Sequence, residues 1–272
     1  MNDSSNVMSD LFDLPGFLGE FSLAAAARGF SRHLLLETED GPILAWERLG
    51  EAPPIYLSAG IHGDEPAGPL AALRLMEEGA FPTDRHCIVC PALNPGGLVL
   101  QTRANRRGAD LNRDYNILSC QETVAHTRWL SRRPVPSLFI SLHEDWETEG
   151  FYFYEINLGE DNVRRAEDLL GTVSAHFPAE LGPEIDGHLL RGPGWIFHRA
   201  EPDMPDSWPE AIWMAKRGCS LSFTFETPSK AALKDRVAAH VDGSLALLDR
   251  LPKAFTETDS MDGIGFMPLC GS

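Results

Sequence analysis

The chain has 272 residues, 43% of them hydrophobic, with 23 basic and 40 acidic side chains and a formal net charge of −17. A chain of that length and composition can bury a large core, and one globular domain over 1–272 is expected. The charge excludes nucleic acid and an anionic membrane surface as partners, because both need a basic face, while an anionic substrate met by a few local arginines stays possible.

Residues 1–10 are polar and expected to fray. They show no basic leader, and no apolar run is long enough to cross a bilayer, so the protein reads as cytoplasmic. Residues 14–30, with Phe17, Leu18, Phe21 and an alanine run, are expected to form a helix. Two apolar runs within 33–46, split by Glu37-Thr38-Glu39-Asp40-Gly41-Pro42, have the pattern of a hairpin. Ile55 to Ala59 reads as a buried strand closed by Gly60. After it, Glu65-Pro66 opens a helix over 67–78 carrying Leu70, Leu73, Leu75 and Met76, with proline suited to a first turn. His62 and Glu65 therefore fall on a strand-to-helix turn, where ligands of open α/β sheets collect. An imidazole and a carboxylate three residues apart there can converge on one cation. The same His-x-x-Glu spacing recurs at His198 and Glu201 with no helix behind it, and that copy is expected to be a solvated turn.

Residues 86–93 form another strand pattern, ending at Asn94-Pro95-Gly96-Gly97, a turn signal. With the preceding strand and helix it makes a βαβ unit, which implies a mainly parallel sheet covered by helices on both faces. Cys87 and Cys90 share the C-x-x-C spacing, but a strand's period of two places their sulfurs on opposite faces. With Cys120, Cys219 and Cys270 they are odd in number and scattered, unlike a disulfide framework. The polar passage 94–115 gathers Arg103, Arg106, Arg107 and Arg113. It is either a solvated loop or an anion-binding one, since clustered guanidinium forks suit carboxylates.

Residues 135–142 read as a strand ending at His143, and 151–156 as an aromatic strand. Residues 161–177 have helical spacing, and 177–209 form a Pro- and Gly-rich irregular excursion, the usual home of a substrate rim. A late strand over 219–225 ends at Glu226, and 229–251 close the chain as an amphipathic helix. Three strands thus end in metal-competent or titratable residues: His62 with Glu65, His143, and Glu226. Catalytic zinc takes three protein ligands of the His₂Glu kind and keeps a fourth position for water. His62, Glu65 and His143 would supply those ligands, with Glu226 as general base and Glu144 its competitor. His33, His86, His126, His176, His188 and His240 lack such a context and read as structural.

The ordered set His62-Gly63-Asp64-Glu65, Asn94-Pro95-Gly96-Gly97, Arg103, Gly108-Ala109-Asp110-Leu111-Asn112-Arg113, Ser141-Leu142-His143 and Phe225-Glu226 resembles the zinc carboxypeptidase family. The resemblance implies a three-layer α/β/α fold around a mixed, mainly parallel eight-stranded sheet, one Zn²⁺ per chain, and hydrolysis of a C-terminal amide through a metal-activated water. By the same resemblance Arg103 would polarise the scissile carbonyl, and Asn112 and Arg113 would hold the substrate's terminal carboxylate. The family's Tyr about twenty residues before its catalytic Glu has no counterpart here, where Trp208 and Trp213 stand instead. Substrates are expected to be short peptides. Two alternatives are an N-acyl amino acid deacylase resembling aspartoacylase or succinylglutamate desuccinylase, and a non-catalytic zinc- or peptide-binding module.

Overall fold

A computed structural model describes residues 12–251; the expectations for residues 1–10 and for Cys270 lie outside them. Helix α1 (Leu14–Ala27) starts at Asp13, whose side chain accepts the Gly16 N–H at 3.1 Å, the usual saturation of a free helix-start donor. Strands β1 (Ser31–Thr38) and β2 (Gly41–Arg48) pair as the expected hairpin. Next come β3 (Ala52–Ala59), α2 (Ala67–Glu78), β4 (Arg85–Cys90) and α3 (Pro95–Leu100). A 3-10 turn (Leu111–Arg113), α4 (Gln121–Leu130), β5 (Leu138–Asp145), β6 (Tyr152–Asn157) and α5 (Val163–Val173) follow. The chain then makes β7 (Glu184–Ile185), β8 (His188–Leu189), β9 (Trp195–Phe197), α6 (Glu210–Lys216), β10 (Leu221–Pro228) and α7 (Leu233–Leu248).

Eight strands form one mixed sheet in the order β1-β2-β4-β3-β5-β10-β6-β9. Its centre, β4-β3-β5-β10, is parallel, as is the β6-β9 edge pair. Alternation along the strands sends side chains to two cores. Leu57, Ile140, Leu142, Phe223 and Phe225 pack with Phe21 of α1, Leu75 of α2, Leu169 of α5 and Val241 of α7. Tyr56, Ile88 and Phe139 pack on the other face with Leu130 of α4 and Met214 of α6. This is the expected α/β/α layering. Cys87 lies in the first core and Cys90 in the second, so the C-x-x-C pair is split across the sheet as the strand period requires.

The structure departs from the sequence reading in four places. Asn94-Pro95-Gly96-Gly97 begins helix α3, because the Asn94 side chain accepts the Gly97 N–H at 2.8 Å and caps it. Strands β5 and β10 run past their expected ends, pairing in register through His143↔Glu226 to Asp145↔Pro228; a cleft-facing polar residue does not interrupt a ladder carried by the backbone. Helices α4 and α6 were not anticipated. The excursion 177–209 contains the β7–β8 hairpin and β9, which joins the sheet edge. Among the described residues no helix is long and apolar enough to cross a membrane.

Candidate active site

The His62 loop leaves β3 through Gly60, at φ +64°, a left-handed conformation that favours glycine. Asn94, fully buried, ties this loop down: its N–H donates to the Gly60 carbonyl at 2.8 Å and its Nδ2 to the Ile61 carbonyl at 3.1 Å. Gly63 presses so closely on the start of α3 that an added Cβ would lie 1.8 Å from the Gly97 carbonyl carbon. Glu65 follows at the entry to α2. On β5, Glu144 points to the opposite face from His143; one of its oxygens accepts the Ala67 N–H at 2.7 Å and the other pairs with Arg236 of α7. Glu144 thus clamps the start of α2 to β5, and so fixes Glu65 relative to His143.

Three buried donors converge as a result. His62 Nδ1 lies 2.6 Å from Glu65 Oε1 and 3.2 Å from His143 Nδ1, which lies 2.9 Å from Glu65 Oε2. A tetrahedral zinc site with bonds of about 2.1 Å has ligand–ligand edges of about 3.4 Å, so the three donors stand closer than that ion needs and would spread by a few tenths of an ångström to take it. The hydrogen bonding agrees. His62 Nε2 lies 3.3 Å from Asp110 Oδ1, and donating its proton there leaves the Nδ1 lone pair facing the cluster, the usual outer-carboxylate arrangement of a metal-binding histidine. Burial raises the Glu65 carboxyl, but the two imidazoles outweigh it and hold the group far below the usual carboxylate range. Burial lowers His143, whereas Glu65 and Asp110 outweigh burial at His62 and raise it. The set is built to face a cation, and it could hold zinc.

These residues form the floor of a cleft of about 860 Å³, which Glu226, Arg103, Asn112 and Arg113 also line. Glu226 stands directly across the β5–β10 ladder from His143, on the same face. Burial and the Glu65 and Asp145 carboxylates push its carboxyl well above the ordinary range, as expected for a group that exchanges protons. Arg103 donates from Nε to Asp110 at 3.0 Å, and its Nη1 lies 3.6 Å from Glu65. Asn112 Oδ1 accepts the Glu210 N–H at 2.9 Å, which leaves the Asn112 NH₂ as its remaining donor. Arg113 is steadied by a 2.9 Å bond to the Asn112 carbonyl.

All seven sequence-predicted site residues therefore meet in one cleft. Asp110 joins them without a signal of its own in the sequence beyond being an acidic residue amid four arginines. Neither Trp208 nor Trp213 lines the cleft. The tyrosines that do are Tyr152 and Tyr154 of β6, Tyr152 lying directly across from Glu226. The second His-x-x-Glu copy does not assemble: Glu201 pairs with Lys216 at 2.6 Å, while His198 turns to Asp203.

The succinylglutamate desuccinylase/aspartoacylase catalytic-domain family matches residues 51–131, the stretch carrying His62, Glu65, Arg103, Asn112 and Arg113. A comparison with curated proteins gives no match. Among solved structures, a candidate metallopeptidase from Shewanella amazonensis SB2B superposes with a TM-score of 0.76 at 20% identity, over 89% of this chain and 96% of that one. A metallo-carboxypeptidase from Pseudomonas aeruginosa, in complex with (2-guanidinoethylmercapto)succinic acid, gives 0.61 at 17% identity over 85% and 67%. An aspartoacylase family protein from Mesorhizobium loti gives 0.51 at 17% over 80% and 67%. The chain therefore has the fold of these carboxypeptidase-like proteins, and its segment 51–131 is similar to the succinylglutamate desuccinylase/aspartoacylase catalytic domain.

Proposed function

We propose that the protein is a zinc-dependent metallocarboxypeptidase that removes C-terminal residues from short peptides. The observation that carries this reading is the convergence of His62, Glu65 and His143 on one point, with Glu226 beside them on the next strand. When bound, zinc supplies the Lewis acidity that makes water nucleophilic near neutral pH. Glu226 takes the proton of the attacking water and returns it to the leaving amine, a role that suits a carboxyl whose proton affinity burial has raised. Arg103, already braced by Asp110, donates to the carbonyl oxygen as it gains charge. The Asn112 NH₂ and the Arg113 guanidinium hold the terminal carboxylate. Glu144 is left out of the chemistry because both its oxygens are committed, to Ala67 and to Arg236.

The remaining cleft wall supports peptides as the substrate class. It carries Asp145, Glu147, Glu149, Glu180, Glu184 and Asp186, which repel a substrate bearing several carboxylates. The second reading, an N-acyl amino acid deacylase, is favoured by the matched family and by the resemblance to the Mesorhizobium protein. Turnover of C-terminally varied peptides against N-acyl amino acids separates the two. Release of C-terminal residues from peptides is the expected result; turnover of the acyl amino acids alone would reverse the assignment, and no turnover of either would leave a binding module.

A further inference from the structure

Among the described residues, a second group of metal-competent side chains stands on the rim of the same cleft, where the sequence offered only an isolated His-x-x-Glu and a histidine without context. His188, His198 and Asp203 each offer a donor atom, all within 4.8 Å of one another. His188 Nε2 and His198 Nε2 lie 3.4 Å from the two different oxygens of Asp203. Separate elements hold the three. The β7–β8 hairpin turns at Asp186 and Gly187, both at positive φ (50° and 78°), a turn type that Asp-Gly favours, and it delivers His188 at the start of β8. His198 follows β9, and its N–H is pinned to the Glu155 carbonyl of β6 at 2.8 Å. The Tyr154 ring packs edge-on against both imidazoles, with centroids 5.5 and 6.1 Å away.

Tautomer chemistry decides what the arrangement can take. His198 Nδ1 faces the Arg199 carbonyl, so Nδ1 carries a proton and Nε2 is the nitrogen aimed at the carboxylate. That nitrogen meets the carboxylate favourably either as the second N–H of an imidazolium or with a metal cation between them. Two imidazoles converge on the two oxygens of a single carboxylate, with all three donors close enough to share one ion. Two imidazoles and a carboxylate suit zinc and its neighbours in the transition series rather than calcium or magnesium. A backbone carbonyl fixing the tautomer of a ligating histidine is likewise the usual outer support of such sites.

We propose that His188, His198 and Asp203 form a second divalent transition-metal site, which ties the β7–β8 hairpin to the loop carrying Asp203 at the cleft mouth. It stands whether or not the floor of the cleft catalyses peptide hydrolysis. The test is calorimetric titration of metal-free full-length protein with Zn²⁺, reading stoichiometry. The parent should take two equivalents, and His188→Ala and His198→Ala one each. His143→Ala should lose the floor event and keep the rim event. Asp203 is largely exposed, so Asp203→Asn should leave the fold intact and still weaken or remove the rim event. A parent binding only one equivalent, or two equivalents persisting in His198→Ala and Asp203→Asn, would overturn the proposal.

Discussion

Glu210 is a buried carboxyl with no share in the proposed chemistry, and its titration should make stability depend on pH. It is 1% exposed, and its oxygens lie 2.7 Å from Tyr56 Oη and 2.8 Å from Ser58 Oγ. Burial raises its carboxyl from 4.5 to about 7, with the two hydroxyls only partly opposing. Because the folded value is the higher one, folded protein binds more protons between those limits; the stabilisation is complete below 4.5 and is lost as pH rises through 7. A difference of 2.5 pH units corresponds to about 3 kcal/mol. Glu210→Gln keeps the shape and removes the titration. Its stability relative to the parent should therefore rise by about 3 kcal/mol between pH 4.5 and pH 8, while other titrating groups cancel in the comparison. Urea unfolding of both proteins across that range, with equal m-values, measures it. A difference between the two that stays flat with pH would show that Glu210 ionises normally.

Other substitutions test the frame of the site. Gly63→Ala must push the His62 loop off the start of α3, because its Cβ would lie 1.8 Å from Gly97; it should cost about 1–3 kcal/mol in denaturant unfolding and weaken zinc binding at the floor. Asp110→Asn removes the carboxylate that orients His62 and should weaken floor zinc affinity by about 10- to 100-fold, read by chelator competition. Arg113→Ala should raise KM by about 10- to 100-fold for a free C-terminus. It should also blur the preference over an amidated peptide, and undiminished rejection of amides would mean that the carboxylate is held elsewhere.

What was legible in the sequence was local or periodic. His62 and Glu65 showed through a spacing of three on a strand-to-helix turn, and His143 and Glu226 through their place at the ends of apolar runs. The true strand ends did not show, because ladder pairing carries β5 and β10 beyond the last apolar residue. Helix α4 was hidden because its buried face is mostly polar: Thr123, His126 and Thr127 beside Leu130. His126 sits 2.9 Å from both Tyr56 and Tyr115, and burial lowers it to about 3, so a neutral imidazole fills a core position without an apolar signature. Helix α6 was hidden likewise by the buried Glu210 at its start. Asp110 and the His188–His198–Asp203 group depend on segments far apart in the chain, and no spacing announces them.

The central claim, that Glu226 does chemistry at a metal held by other residues, is tested most directly by the rate of C-terminal residue release by zinc-loaded Glu226→Gln, with zinc content measured on the same sample. The substitution keeps size and removes the basic carboxylate. Zinc at the floor should remain at parental occupancy while kcat falls by about 10²–10⁴-fold. A Glu226→Gln protein that retains both its zinc and the parental rate would contradict the account.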